Sequence, residues 1–95
     1  MKVLLVGSGA REHAIAWKIS QSNISCDIYA APGNAGISQI AENISVKADD
    51  IDTIVEIAKD LQIDLTVVGP EVPLANGIAD RFNESGLLIF TILFW

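Results

Sequence analysis

Three short glycine-bearing stretches hold most of the residues that could do chemistry. The first is "VGSGAREHAIAW", Val6 to Trp17, in which Gly7 and Gly9 stand two apart and are followed by Ala10, Arg11, Glu12 and His13. The second is "PGNAG", Pro32 to Gly36, with Gly33 beside Asn34, and the third is "GPE", Gly69, Pro70 and Glu71. Glycines spaced as 7 and 9 let a phosphate approach the backbone N–H groups at a helix start. Arg11 is a cation where the helix dipole disfavours one. A phosphate or carboxylate partner accounts for it, and so does a solvated pairing with Glu12 or another nearby acid. The Asn34 amide both donates and accepts, which suits a sugar hydroxyl or a phosphate. It suits an Asx turn or a left-handed backbone position equally well. Glu71 offers acceptors to sugar hydroxyls or an amine, or caps the helix that follows it. His13 fits hydrogen-bonded structure better than an acid–base role. Asp49, Asp50 and Asp52 cluster at a helix start, where capping explains them better than metal binding.

The first loop is an incomplete dinucleotide fingerprint. That fingerprint needs G-x-G-x-x-G, the third glycine allowing close helix–strand packing, and here the third position is Glu12. It also needs an acid at the end of the second strand for the ribose hydroxyls. This chain has Ala30, Ala31 and Pro32 there, and Asp27 stands at the wrong end.

The elements that must position these residues alternate. Lys2 to Val6, "KVLLV", is a nearly continuous apolar run ending at glycine, as expected of a strand buried on both faces. Arg11 to Gln21 turns helical, Asp27 to Ala31 reads as a second strand, and Ile44 to Lys47 as a short third one. Asp50 to Leu61 is the clearest helix, with Ile51, Ile54, Val55, Ala58 and Leu61 on one face. Asp64 to Val68 reads as a fourth strand. A helix is expected from about Pro73, with Leu74, Ile78 and Phe82 sharing a face and Gly86 stopping it. Leu87 to Phe90 reads as the last strand. This order predicts an α/β fold: a parallel sheet of four to five strands with helices on both faces. With strands ordered 3-2-1-4-5, the three glycine loops line one crevice at the carboxyl ends of the strands.

Composition narrows the function. Ninety-five residues make one small domain, 51% of them hydrophobic and 19% charged, with a net charge of −6 from 12 acidic and 6 basic residues. An acidic chain without a Lys/Arg cluster argues against nucleic acid and anionic membranes as partners, and any anionic ligand would have to be held by local dipoles and a few cations. Cys26 is alone and reads as a small, buried or half-buried thiol. The first apolar run ends at Gly7, too short for a signal-peptide core, and no run is long enough to span a bilayer. A cytoplasmic location is expected.

The stretches "MKVLLVGSGAREHAIAWKIS", "APGNAGIS", "DLTVVGPEVPLANGIADRF" and "GLLIF" resemble the N-terminal domain of the phosphoribosylamine–glycine ligases, from about Met1 to Phe90. The resemblance implies a Rossmann-like (pre-ATP-grasp) domain of a ligase of purine biosynthesis. That enzyme joins glycine to 5-phosphoribosylamine: ATP with Mg²⁺ or Mn²⁺ activates the glycine carboxylate as an acyl phosphate, which the sugar amine attacks. Carried over by motif, Gly9, Ala10, Arg11, Gly33, Asn34, Gly69, Pro70 and Glu71 would bind phosphoribosylamine or glycinamide ribonucleotide. No catalytic residue and no metal ligand is expected in this chain, and ATP and metal are not expected to bind it strongly. "TILFW", Thr91 to Trp95, departs from the family pattern as an apolar, aggregation-prone tail. Residues 1–90 are thus expected to form the substrate-binding domain, with the ATP-grasp domain absent and this chain alone inactive. Two other classes remain open: a dinucleotide-binding domain of an oxidoreductase, and a nucleotide-fold binding module without catalysis.

Overall fold

The computed structural model describes residues 1–22, 25–69 and 77–91. Its centre is strand β1, Lys2–Gly7, in which Val3, Leu4, Leu5 and Val6 are all buried. Helix α1, Ala10–Ser20, leads to β2, Asp27–Pro32. A single 3₁₀ turn, Ile37–Gln39, precedes the two-residue strand β3, Glu42–Asn43. Helix α2, Ile51–Asp60, leads to β4, Leu65–Val68; helix α3, Ile78–Glu84, leads to β5, Ile89–Thr91. All pairings are parallel and the order is β3-β2-β1-β4-β5, so β1 and β4 are neighbours where the strand order reverses.

The strand period of two divides the core. Leu4, Val6, Ala31 and Val68 face one way, against Ile51, Ile54, Val55 and Ala58 of α2 and Ile78 and Phe82 of α3. Val3, Leu5, Ile28, Ala30 and Val67 face the other way, against Ala16 of α1 and Ile37. Phe82 and Ile54 are fully buried, and each contributes about 2–3 kcal/mol by leaving water. On α1 the inward side is Glu12, Ile15, Ala16 and Ile19, whereas Ala14 and Trp17 look outward.

Three elements differ from the sequence expectation by more than a single residue. The third strand is Glu42–Asn43, not Ile44–Lys47. Ile44 still donates to the Ala30 carbonyl, but Val46 N–H turns back to the Ile44 carbonyl and the chain leaves the sheet. The apolar Ile44, Val46 and Ala48 therefore pack against the core rather than extend a ladder. The last strand is Ile89–Thr91, not Leu87–Phe90, because Leu87 N–H is taken by the Phe82 carbonyl at the end of α3. The helix expected from Pro73 is described from Ile78, with Gly77 as its N-cap; Pro73 and Leu74 lie outside the described residues. Gly86 follows the end of α3 with φ of +72°, the left-handed geometry that stops a helix.

Candidate functional site: a crevice of three loops

Strand register sets the level from which the loops start. Gly7 pairs with Pro32 and Val6 with Val68, so Ser8, Gly33 and Gly69 leave the sheet along one edge. The loops then bind to one another. Gly33 N–H donates to the Gly7 carbonyl at 2.9 Å. Asn34 Nδ2 donates to the Ser8 carbonyl at 2.7 Å, and Arg11 Nη1 donates to the Gly69 carbonyl at 3.2 Å. The expected convergence of three loops is thus built from direct contacts across 26 and 58 residues of sequence.

Helix α1 points its amino end into this crevice. Gly9 is its N-cap in an extended conformation, and no side chain caps it. The first bond of the helix runs from His13 N–H to the Gly9 carbonyl, so the N–H groups of Ala10, Arg11 and Glu12 have no acceptor within the helix. This is the local geometry that receives an anion.

The expected site residues divide by what they do. Gly9, Ala10 and Arg11 stand at the rim of the crevice. Among the described residues Arg11 forms an ion pair with no acid, Glu12 included. It is half-buried and bridges to Gly69, which uses one of its five donors. Asn34 is committed to structure: besides Ser8, its Oδ1 accepts from Ile37 N–H at 2.9 Å, the Asx-type bond that starts the 3₁₀ turn. Gly33 has φ of +74°, and a side chain there would overlap Asn43 Oδ1. Gly69 is buried beside Arg11 and Glu12. Pro70 and Glu71 lie outside the described residues.

Three further residues shape the crevice. Glu12 is only 6% exposed. Its carboxylate folds back beneath the first loop, where a side chain on Gly7 would overlap Oε1 and one on Gly69 would begin 3.1 Å from it. Glycine at position 7, with φ of +140°, is what leaves room for that carboxylate. The sequence held one signal for this placement: Glu12 is the third residue after the N-cap, from which a glutamate reaches back toward the helix start. Asn43 donates from Nδ2 to the Asn34 carbonyl at 2.9 Å, bracing the second loop from β3; no local pattern marked it. The His13 ring packs on Gly36, where any side chain would meet it.

Of the acidic cluster, Asp50 is the cap of α2. Asp50 accepts from Thr53 N–H at 3.4 Å and from Thr53 Oγ1 at 2.9 Å, while Asp52 pairs with Arg81 of α3. Cys26 is half-buried. Among the described residues no helix is long and apolar enough to cross a membrane.

Comparison with known proteins agrees with this architecture. A family model described as phosphoribosylglycinamide synthetase, N domain, matches residues 1–92. A phosphoribosylamine–glycine ligase of Caldanaerobacter subterraneus subsp. tengcongensis is 53% identical over 90 residues, covering 95% of this chain and 22% of that protein. The Haemophilus influenzae protein of the same name is 49% identical over 92 residues, covering 95% and 21%. Among solved structures, a phosphoribosylamine–glycine ligase from Thermotoga maritima matches with a TM-score of 0.56 at 25% identity, over 76% of this chain and 16% of that one. The chain spans about a fifth of the length of the relatives it matches. With the family model covering nearly every residue and a parallel sheet of matching fold, the chain belongs to the phosphoribosylglycinamide synthetase N-domain family.

Proposed function

We propose that this domain holds the phosphorylated pentose of 5-phosphoribosylamine for a ligase that joins its amine to glycine at the expense of ATP. The observation that carries the reading is the crevice itself. Three loops leave β1, β2 and β4 at one level, tied by Gly33–Gly7, Asn34–Ser8 and Arg11–Gly69 bonds, around the uncapped start of α1. The N–H groups of Ala10 and Arg11 and the remaining guanidinium donors of Arg11 receive the 5-phosphate. Gly9 lets it approach the backbone. The Asn34 latch holds the second loop against the first so that the sugar meets a formed wall. The names of the relatives supply the substrate, and the crevice supplies a place of the right chemistry.

ATP and Mg²⁺ or Mn²⁺ would supply activation of the glycine carboxylate. Among the described residues no three acidic, histidine or cysteine side chains gather to hold a metal ion. No step is therefore assigned to ATP or metal on these residues. The dinucleotide alternative is disfavoured because the third fingerprint position, where glycine allows close helix–strand packing, holds the buried Glu12, and no acid ends β2.

The test is titration of the 95-residue protein with glycinamide ribonucleotide, followed by amide chemical shifts. Shifts are expected at Gly9, Ala10, Arg11 and Gly33, with affinity on the order of millimolar for so open a site. Arg11→Ala should weaken binding of the nucleotide. Shifts confined to Asp49–Leu61, with none near Gly9 or Gly33, would refute the reading.

A further inference from the structure

Glu12 is the one buried acid among the described residues, and the function proposed above does not use it. No hydrogen bond or ion pair from any described residue meets its carboxylate, although Arg11 is the next residue along. Neither oxygen is a sealed, unpartnered atom, so both keep some access to the crevice. Oε1 lies beneath Gly7 and beside Gly69, and Oε2 stands 3.4 Å from where a Gly9 side chain would begin. Arg11 Nη1 is 3.6 Å from the corresponding point on Gly69. The crevice thus has two chemically distinct parts. Its rim carries N–H donors and a guanidinium, and its floor carries an acceptor-only carboxylate whose desolvation no donor among the described residues offsets.

We propose that Glu12 is a specificity residue that sets the ligand class of this crevice: it accepts hydrogen bonds from the hydroxyl or amine donors of a sugar monophosphate and bars a second phosphate from the floor. This inference rests on the sugar-phosphate reading above. A monophosphate at the rim leaves its sugar donors facing the floor, and they complete the buried carboxylate. A pyrophosphate laid along the glycine loop places its second phosphate against the carboxylate, where like charges meet in a partly desolvated site. Position 12 therefore separates two ligand classes on one loop geometry. Glycine there suits a pyrophosphate, whereas glutamate favours a ligand with one phosphate and nearby donors.

The experiment compares the 95-residue protein with its Glu12→Gln and Glu12→Ala variants. Each is titrated with ribose 5-phosphate and, separately, with inorganic pyrophosphate, and amide shifts near Gly9 and Gly33 report binding. The expected result is a crossing. Both variants bind ribose 5-phosphate more weakly and pyrophosphate more tightly, each by about fivefold to tenfold, Glu12→Ala showing the larger loss for the sugar. Glu12→Gln keeps the shape of the side chain, so it carries the comparison if Glu12→Ala does not fold. Parallel weakening of both ligands identifies Glu12 as structural only and overturns the proposal. Parallel tightening identifies simple repulsion without sugar recognition, and also overturns it. Failure of every variant to bind either ligand overturns both this inference and the sugar-phosphate reading. Ribose 5-phosphate binding with an unchanged preference overturns the role of Glu12 alone.

Discussion

Replacing Asn34 by alanine separates two loops that the fold holds together with one side chain. The amide donates to Ser8 at 2.7 Å and accepts from Ile37 N–H at 2.9 Å. A neutral hydrogen bond contributes about 1 kcal/mol net, so losing both costs about 1–2 kcal/mol, the site being only half-buried and open to replacement water. For a domain of this size that is a fall in melting temperature of roughly 5–15 °C. Thermal melts followed by far-ultraviolet circular dichroism measure the shift. Asn34→Asp keeps the acceptor for Ile37 but turns a carboxylate toward the Ser8 carbonyl. It should therefore destabilise at least as much as the loss of the Ser8 bond alone. Amide spectra supply the local reading: Ser8, Gly9 and Ile37 should move in Asn34→Ala, while α2 stays in place. A melting temperature within about 2 °C of the parent, with Ser8 and Gly9 unmoved, would show that the two loops hold their positions without this latch.

Two further outcomes follow from the same geometry. Gly33→Ala meets both a left-handed backbone and the Asn43 side chain, so it should cost at least about 2 kcal/mol in urea unfolding; made in an Asn43→Ala background, which has already lost the bond to Asn34, it should cost only the backbone share of about 1 kcal/mol. Asp50→Ala removes the cap of α2 and should cost about 1 kcal/mol. Arg81→Ala should cost less than about 1 kcal/mol, because the side chains of its pair with Asp52 are 45% and 79% exposed, and added salt should shrink the difference further.

The parts of this fold written in short-range pattern were legible. The run from Val3 to Val6 has no polar residue, and it is buried on both faces as such a run must be. The spacing of Ile51, Ile54, Val55 and Ala58 placed α2 to within a residue, and Asp50 proved to be its cap. The strand order expected at the switch point is the order found. Where the pattern misled, a second solution served the same residues. Ile44 and Val46 alternate like a strand, yet a tight turn after Ile44 packs both, half-buried, against the core without extending the ladder.

The candidate site was legible as places rather than as roles. The glycine loops marked where the backbone must come close, and all three start from one edge of the sheet. What each side chain does there depended on distant partners. Arg11 could have paired with an acid beside it; instead it reaches a carbonyl 58 residues away. Asn34 reads equally as a ligand donor or a turn residue until Ser8 arrives at 2.7 Å. Glu12 reads as an ordinary first-turn acid until β4 brings Gly69 beside it and leaves it only 6% exposed.

The sequence by itself determined the alternation of strands and helices, the buried centre, the cap of α2, the stop of α3, and the edge of the sheet from which the glycine loops leave. Those features depend on residues within a few positions of one another, so the helical and strand periods carry them. Only the tertiary structure decided that Asn34 is a latch, that Arg11 bridges β1 and β4 loops, and that Glu12 is buried between Gly7 and Gly69. Those roles exist only once parallel pairing sets Gly7, Pro32 and Val68 at nearly one level, because it is that register which brings the three loops within hydrogen-bonding distance.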